Sequence, residues 1–272
     1  MQPTHTIQKN SHKYFPVAPE WLPEAVRQSV RDFYGYLWTM EEICSHSALQ
    51  REEKRQQLRV LRMTIQERNT ELMPDWAIGY HIMLEQKRLS PLHGEHLWEA
   101  AWQDTEKDKY LTMEEVLNYA RMAAAPVGRA VMEIAGEKEV DRAALDSFCM
   151  ALLLIDHLQN ARGDYLLRNR TYLPQHWLEE AGISDKVLTK KETGPRLRKV
   201  FNDWLEEVEK QLQRAHFLPV SLQNKKLKSE LKFILATRRA LVKKIAKTDP
   251  MTHKITLTPW EEFRVGLGAL FR

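Results

Sequence analysis

Asp156, Asn160 and Asp164 stand four residues apart in "LLLIDHLQNARGDYLLRNRTYLP", residues 152–174. In a helix, steps of four advance about 6 Å along the axis and only about 40° around it. The three side chains therefore form one oxygen-rich stripe, while Leu152, Leu153, Leu154, Ile155 and Leu158 occupy the other faces. Two carboxylates and an amide are hard donors. Magnesium takes such oxygens while keeping several waters, so this stripe could hold a metal between the protein and a phosphate ligand. The same acids could instead pair with Arg162, Arg168 or Arg170 in a purely structural network. Spacing alone leaves both readings open.

A second acidic pair, Glu41 and Glu42, lies in "TMEEICSH". Successive helical residues point about 100° apart, so the two carboxylates cannot both face inward. The flanks "FYGYLWTM" and "IC" are aromatic and apolar, which implies a largely buried segment. A charge there needs a partner or a metal. The competing reading is a solvated pair in the last turn of a helix. Arg129 in "APVGR", and Arg168 and Arg170 beyond the stripe, offer the rigid donor fork that suits phosphate. No histidine spacing suits zinc, and there is no Gly-rich phosphate loop or nucleophile elbow.

Positioning these groups requires helices. Leu, Ala, Glu, Lys, Gln and Arg dominate the chain, and β-branched alternation is scarce. A first helix is expected over 24–46. A second follows Ser47, placed as its cap, and "DWAIGYHIMLEQKR" and "HGEHLWEAAWQDTEK" give two more. The next opens on a Thr112–Glu115 capping box, kinks at Pro126 and stops at Gly136. The stripe helix comes next, and a short piece, "YLPQHWLEEAGI", follows it. Two long helices are expected over 194–216 and 221–247, with a last segment from Pro259. The helix near the C-terminus, "LQNKKLKSELKFILATRRALVKKIAK", is basic and amphipathic. Its stripe of Leu227, Leu231, Ile234, Leu241 and Ile245 could touch anionic lipid or simply pack on the core.

At 272 residues and 43% hydrophobic, the chain suffices for one large domain with a real core. Neither repeats nor a long linker divides it, so a single all-α domain over 1–272 is the economical expectation, with 1–13 as a disordered tail. A net charge of +4 is too small to argue for nucleic acid. The two cysteines make no disulfide framework or metal quartet and fit a reducing compartment. Lacking a secretory signal and any apolar run long enough to span a bilayer, the chain is expected to be cytoplasmic, with peripheral membrane contact open.

Three stretches resemble the squalene/phytoene synthase family, and within it the hopanoid-linked squalene (hydroxysqualene) synthase branch. "YFPVAPEWLPEAVRQSVRDFYGYLWTMEEI" is similar to the family's N-terminal segment and first Asp-rich helix. "NYARMAAAPVGRAV" is similar to its tyrosine-led helix ending in P-V-G-R. "QNARGDYLLRNRTYLPQHWLEEAGI" is similar to its second Asp-rich motif and the R-x-Y-L-P segment after it. The resemblance runs from about Tyr14 to Leu270, nearly the whole chain. It implies an all-α, class I prenyltransferase-like (isoprenoid synthase) bundle around a central cavity. It also implies head-to-head prenyl-diphosphate transferase chemistry with Mg²⁺-assisted loss of diphosphate. The substrate would be farnesyl, presqualene or geranylgeranyl diphosphate, in squalene, hopanoid or carotenoid biosynthesis. Metals and arginines would stabilise the leaving diphosphate, and apolar walls would keep water from the cation. Carried over residue by residue, Glu41, Glu42, Asn160 and Asp164 become catalytic. Those four with Asp156 become the metal ligands, and Tyr119, Arg129, Arg170 and Tyr172 contact the substrate.

The sequence departs from the family where the metal would bind. The first motif, usually D-D-x-x-D with an arginine three residues before it, reads Glu41, Glu42, Ser45, with Trp38 in the arginine's place. The added methylene of glutamate moves its oxygens further than a metal site readily accepts. In the second motif, an Asn, Asp, Asp stripe has become Asp156, Asn160, Asp164. Gly163 stands where an acid is common, and the stretch to Tyr172 is one residue longer. Two readings follow: an active prenyl-diphosphate enzyme with atypical ligands, or a catalytically degenerate relative that binds isoprenoids or serves as a scaffold.

Overall fold

The computed structural model describes residues 15, 22–66, 75–86 and 88–270. The tail expected over 1–13 lies outside them. Eleven α-helices are found among the described residues: α1 Glu24–Ser45, α2 Arg51–Gln66, α3 Asp75–Glu85, α4 Pro91–Glu106, α5 Met113–Ala123, α6 Ala125–Ile134, α7 Arg142–Arg168, α8 Gln175–Glu180, α9 Pro195–Arg214, α10 Lys225–Lys247 and α11 Pro259–Leu270. No strand is present among the described residues; the one β-type contact is an isolated parallel bridge between Lys109 and Thr171. The fold is all-α, as expected.

The chain divides into two compact units, Met1–Lys107 with Arg121–Lys138, and Asp108–Ala120 with Glu139–Arg272. In the first, α1 packs against α2, α3, α4 and α6. In the second, α7 packs against α9, and α10 lies against α9 and α11. Trp204, fully buried on α9, donates its indole N–H to the Leu154 carbonyl of α7 at 2.9 Å. One side chain thus supplies both apolar volume and a satisfied polar end.

The ends of the helices show local chemistry at work. Asp141 caps α7 by accepting from the Ala144 amide at 3.0 Å. The helix ends at Asn169, which adopts left-handed φ of 52°, a conformation asparagine tolerates. Glu115 donates its amide to Thr112 Oγ1 at 3.2 Å, and its carboxylate accepts from the Leu111 amide at 2.9 Å, so the expected box forms one residue wider. At Pro126 the expected kink is a full break at Ala124, with the proline in the first turn of α6, where its missing N–H costs nothing. Ser47 does not cap α2. Gln50 precedes the helix, and its amide donates to Glu53 at 2.7 Å. Asn224 caps α10, accepting from the Lys226 and Leu227 amides, so this helix starts a few residues after the expected 221.

Candidate active site

In the second unit, the α7 stripe forms as its spacing predicts. Asp156, Asn160 and Asp164 share one half-buried face, backed by buried Leu152, Leu153, Leu154, Ile155 and Leu158. Asp164 is 13% exposed and holds Arg168, one turn on, at 2.9 Å. Asp156 is 14% exposed, and its cation is Lys254, 3.7 Å away. Of the arginines expected to neutralise the stripe, Arg168 sits on one of its acids. Arg162 instead donates to the Lys190 carbonyl at 2.9 Å. Lys254 arrives on the segment between α10 and α11, which is tied to α7 by the Ile255 amide donating to Gln159 Oε1 at 2.7 Å.

Beside the stripe, four rings assemble from four segments. The stretch 108–111 is joined to 171–176 by the Thr171 amide on the Asp108 carbonyl (2.9 Å) and the Gln175 amide on the Tyr110 carbonyl (2.9 Å). Lys109 also pairs with buried Asp185, which raises the lysine's pKa through that hydrogen bond. These ties bring Tyr110 to stack on Tyr172 at 5.4 Å between centroids, with Tyr119 of α5 at 5.5 and 5.3 Å from the two rings. The Tyr119 and Tyr172 hydroxyls are 3.4 Å apart. His157 of α7 stacks on Tyr172 at 3.6 Å. The structure therefore unites Tyr119 and Tyr172, expected substrate contacts, and adds Tyr110 and His157 to them. Arg170 is buried one residue from this cluster, its amide donating to the Asp164 carbonyl at 3.3 Å.

The remaining expected residues belong to the first unit. Glu41 is half-buried and Glu42 exposed, although Met40, Ile43 and Cys44 beside them are buried. The expectation of a buried acidic segment is thus corrected: the helical turn puts the apolar flanks in the core and both carboxylates toward its edge. Ser45, in the position of the family's third acid, turns its hydroxyl back to the Glu42 carbonyl at 3.3 Å. Lys54 caps the same helix end, donating to the Cys44 carbonyl at 2.9 Å. Trp38 is half-buried, with its ring 5.5 Å from Tyr34. Arg129, on α6, is half-buried one turn before Glu133, whose carboxylate lies 2.9 Å from buried His93.

As donors, the α7 residues suit magnesium: they are oxygens only, on one face, and mostly covered. Among the described residues no three His, Cys, Asp or Glu side chains come together in a group that could hold a metal, and the middle donor of this stripe is an amide. A metal there would have to displace Arg168 and Lys254.

Comparison with known proteins agrees with the all-α fold. The chain is 28% identical over 256 residues to the hydroxysqualene synthase of Rhodopseudomonas palustris, covering 94% of this chain and 87% of that one. Its fold matches the crystal structure of squalene synthase HpnC from Alicyclobacillus acidocaldarius with a TM-score of 0.75 at 19% identity, over 92% of this chain and 94% of that one. It also matches a dehydrosqualene synthase solved with a ligand, with a TM-score of 0.79 at 16% identity, over 97% and 92% of the two chains. The profile of squalene/phytoene synthases matches residues 8–263, and the chain belongs to the squalene/phytoene synthase family.

Proposed function

We propose that this protein acts in isoprenoid biosynthesis on a prenyl diphosphate, in head-to-head transferase chemistry of the squalene/phytoene synthase type. Both compact units together would make one synthase domain. The observation that carries the reading is the covered oxygen stripe of α7, with a buried arginine just beyond the helix and a four-ring aromatic wall stacked on its His157. An allylic diphosphate needs those three things: a holder for its anionic end, a cation beside it and a wall that excludes water from the developing carbocation.

Each group has a role in this reading. Arg170 and Arg129 offer guanidinium forks to the diphosphate. Tyr119 and Tyr172 line the allylic portion, with their hydroxyls 3.4 Å apart. Tyr110 and His157 hold Tyr172 in place by stacking. Glu41, Glu42, Asp156, Asn160 and Asp164 would hold magnesium. When bound, that ion would supply charge stabilisation for the departing diphosphate. The substrate is farnesyl, presqualene or geranylgeranyl diphosphate, and the relatives named hydroxysqualene synthase favour the first two.

One observation favours a second reading, a family member that binds isoprenoids or scaffolds an assembly without catalysis. Both stripe acids already carry protein cations, and Glu41, Glu42 and Ser45 replace three aspartates. Pyrophosphate release from farnesyl and presqualene diphosphates, with and without Mg²⁺, tests the choice. Metal-dependent release that Asp164→Ala abolishes supports the enzyme. Absence of release from the folded protein, with prenyl diphosphate still bound, supports the second reading.

A further inference from the structure

The helix α11 is built inside out. Its first acid faces the protein. Glu261 pairs with Lys244 of α10 at 2.7 Å and accepts from the Thr258 amide at 2.7 Å. Glu262 is exposed, and its charge reaches half-buried Arg238 of α10. Gly266 lies so close to Phe233 that an added Cβ would stand 2.3 Å from its ring. A helical turn of about 100° per residue then fixes what points away. It is Trp260, Phe263, Arg264 and Leu267. Trp260 is 70% exposed, Phe263 57% and Leu267 48%. The two aromatic rings stack on each other at 5.8 Å. The apolar stripe of α10 does not compete for this role: Leu227, Leu231, Leu241 and Ile245 are buried and Ile234 is half-buried.

We infer that the outer face of α11 is a docking surface for an anionic lipid bilayer. The charge of the surface selects this occupant. The face carries one cation, Arg264, and no acid: Glu261 pairs with Lys244, and Glu262, though exposed, lies about 160° around the helix from Trp260. Lys243 and Lys247 are exposed on neighbouring α10, and the whole chain is +4. The area argues the same way. Three side chains so exposed offer on the order of 400 Å² of apolar surface, about half of what each partner buries in a stable protein interface. That suffices for shallow insertion at headgroup depth, where tryptophan and phenylalanine rings settle and an arginine reaches phosphate. No helix among the described residues is long and apolar enough to cross a membrane, so the contact is a surface one. This inference stands apart from the question of catalysis.

Sedimentation of the full chain with phosphatidylcholine vesicles, with and without phosphatidylglycerol, tests it without any substrate. The native chain pellets with the phosphatidylglycerol vesicles. Trp260→Glu combined with Phe263→Glu weakens that binding by about tenfold or more, with unchanged circular dichroism melting. Arg264→Glu keeps the apolar face but removes the preference for phosphatidylglycerol. A native chain that stays in the supernatant overturns the proposal, as do variants that pellet equally well. A dimer by light scattering that Trp260→Glu converts to monomer also overturns it, because a second copy would then cover this face.

Discussion

Lys254 Nζ stands 3.7 Å from Asp156 Oδ1, so a residue beyond α10 neutralises the head of the α7 stripe. The segment that carries it is fastened at both ends. Asp249 accepts from the Thr193 amide at 2.8 Å, from its hydroxyl at 2.5 Å and from the Met251 amide at 2.9 Å. Burial alone would raise the Asp249 pKa, but these hydrogen bonds prevail and hold it below its ordinary value. At the other end, Ile255 is tied to Gln159. The lysine therefore competes with any divalent ion for Asp156. A pair of this kind, with its lysine in solvent, is worth roughly 0.2–1 kcal/mol. Lys254→Met is expected to tighten Mn²⁺ binding about two- to fivefold by electron paramagnetic resonance. Unchanged binding would mean that Asp156 is not a ligand.

Why the stripe was legible and its partner was not is a matter of range. Asp156, Asn160 and Asp164 share a face because of helical periodicity alone, and every turn of α7 confirms it. Arg168 was also within reach, at i+4. Lys254 is a tertiary neighbour with no local signal. The same holds for the rings: Tyr119 and Tyr172 came from family resemblance, but Tyr110 joins them through backbone bonds between 108–111 and 171–176. Proline and capping-box signals placed breaks to within a residue or two. Ser47 misled because the capping preference of serine says nothing about where the helix begins.

His93 gives the first unit an acid-sensitive point. Desolvation holds its pKa below the ordinary 6.5, outweighing Glu133 beside it, and the charges of Arg129 and His96 push the same way. The unfolded chain therefore takes up a proton near pH 6.5, while the folded chain does so only lower. Stability is full above that pH and falls as pH drops beneath it. Urea midpoints measured at about pH 7.5 and about pH 5.5 should fall less in His93→Gln than in the native chain. Equal falls would place the sensitivity elsewhere.

Trp204 tests how α7 is held. Trp204→Phe keeps an aromatic ring but removes the donor to the Leu154 carbonyl, in a fully buried place. An orphaned buried acceptor plus a small void should cost about 2 kcal/mol by urea denaturation. A loss under about 0.5 kcal/mol would mean that packing alone fixes α9 on α7.

One substitution made at two helical glycines should give opposite signs. On propensity, Gly→Ala inside a helix gains about 1 kcal/mol. At Gly163 on α7, an added Cβ meets nothing within 4 Å, so that gain should appear nearly whole as a raised thermal midpoint. At Gly35 on α1, the Cβ would stand 2.4 Å from Trp76 Cγ, and α3 would have to move. Overpacking of that kind costs about 1–3 kcal/mol, which outweighs the propensity gain, so the midpoint should fall. The contrast also bears on function. Gly163 occupies an open position on the site helix where the family commonly has an acid, so a carboxylate fits there sterically. Gly163→Asp should therefore fold, and Mn²⁺ binding by this variant tighter than native would show that the stripe is short of one ligand rather than misfolded around it.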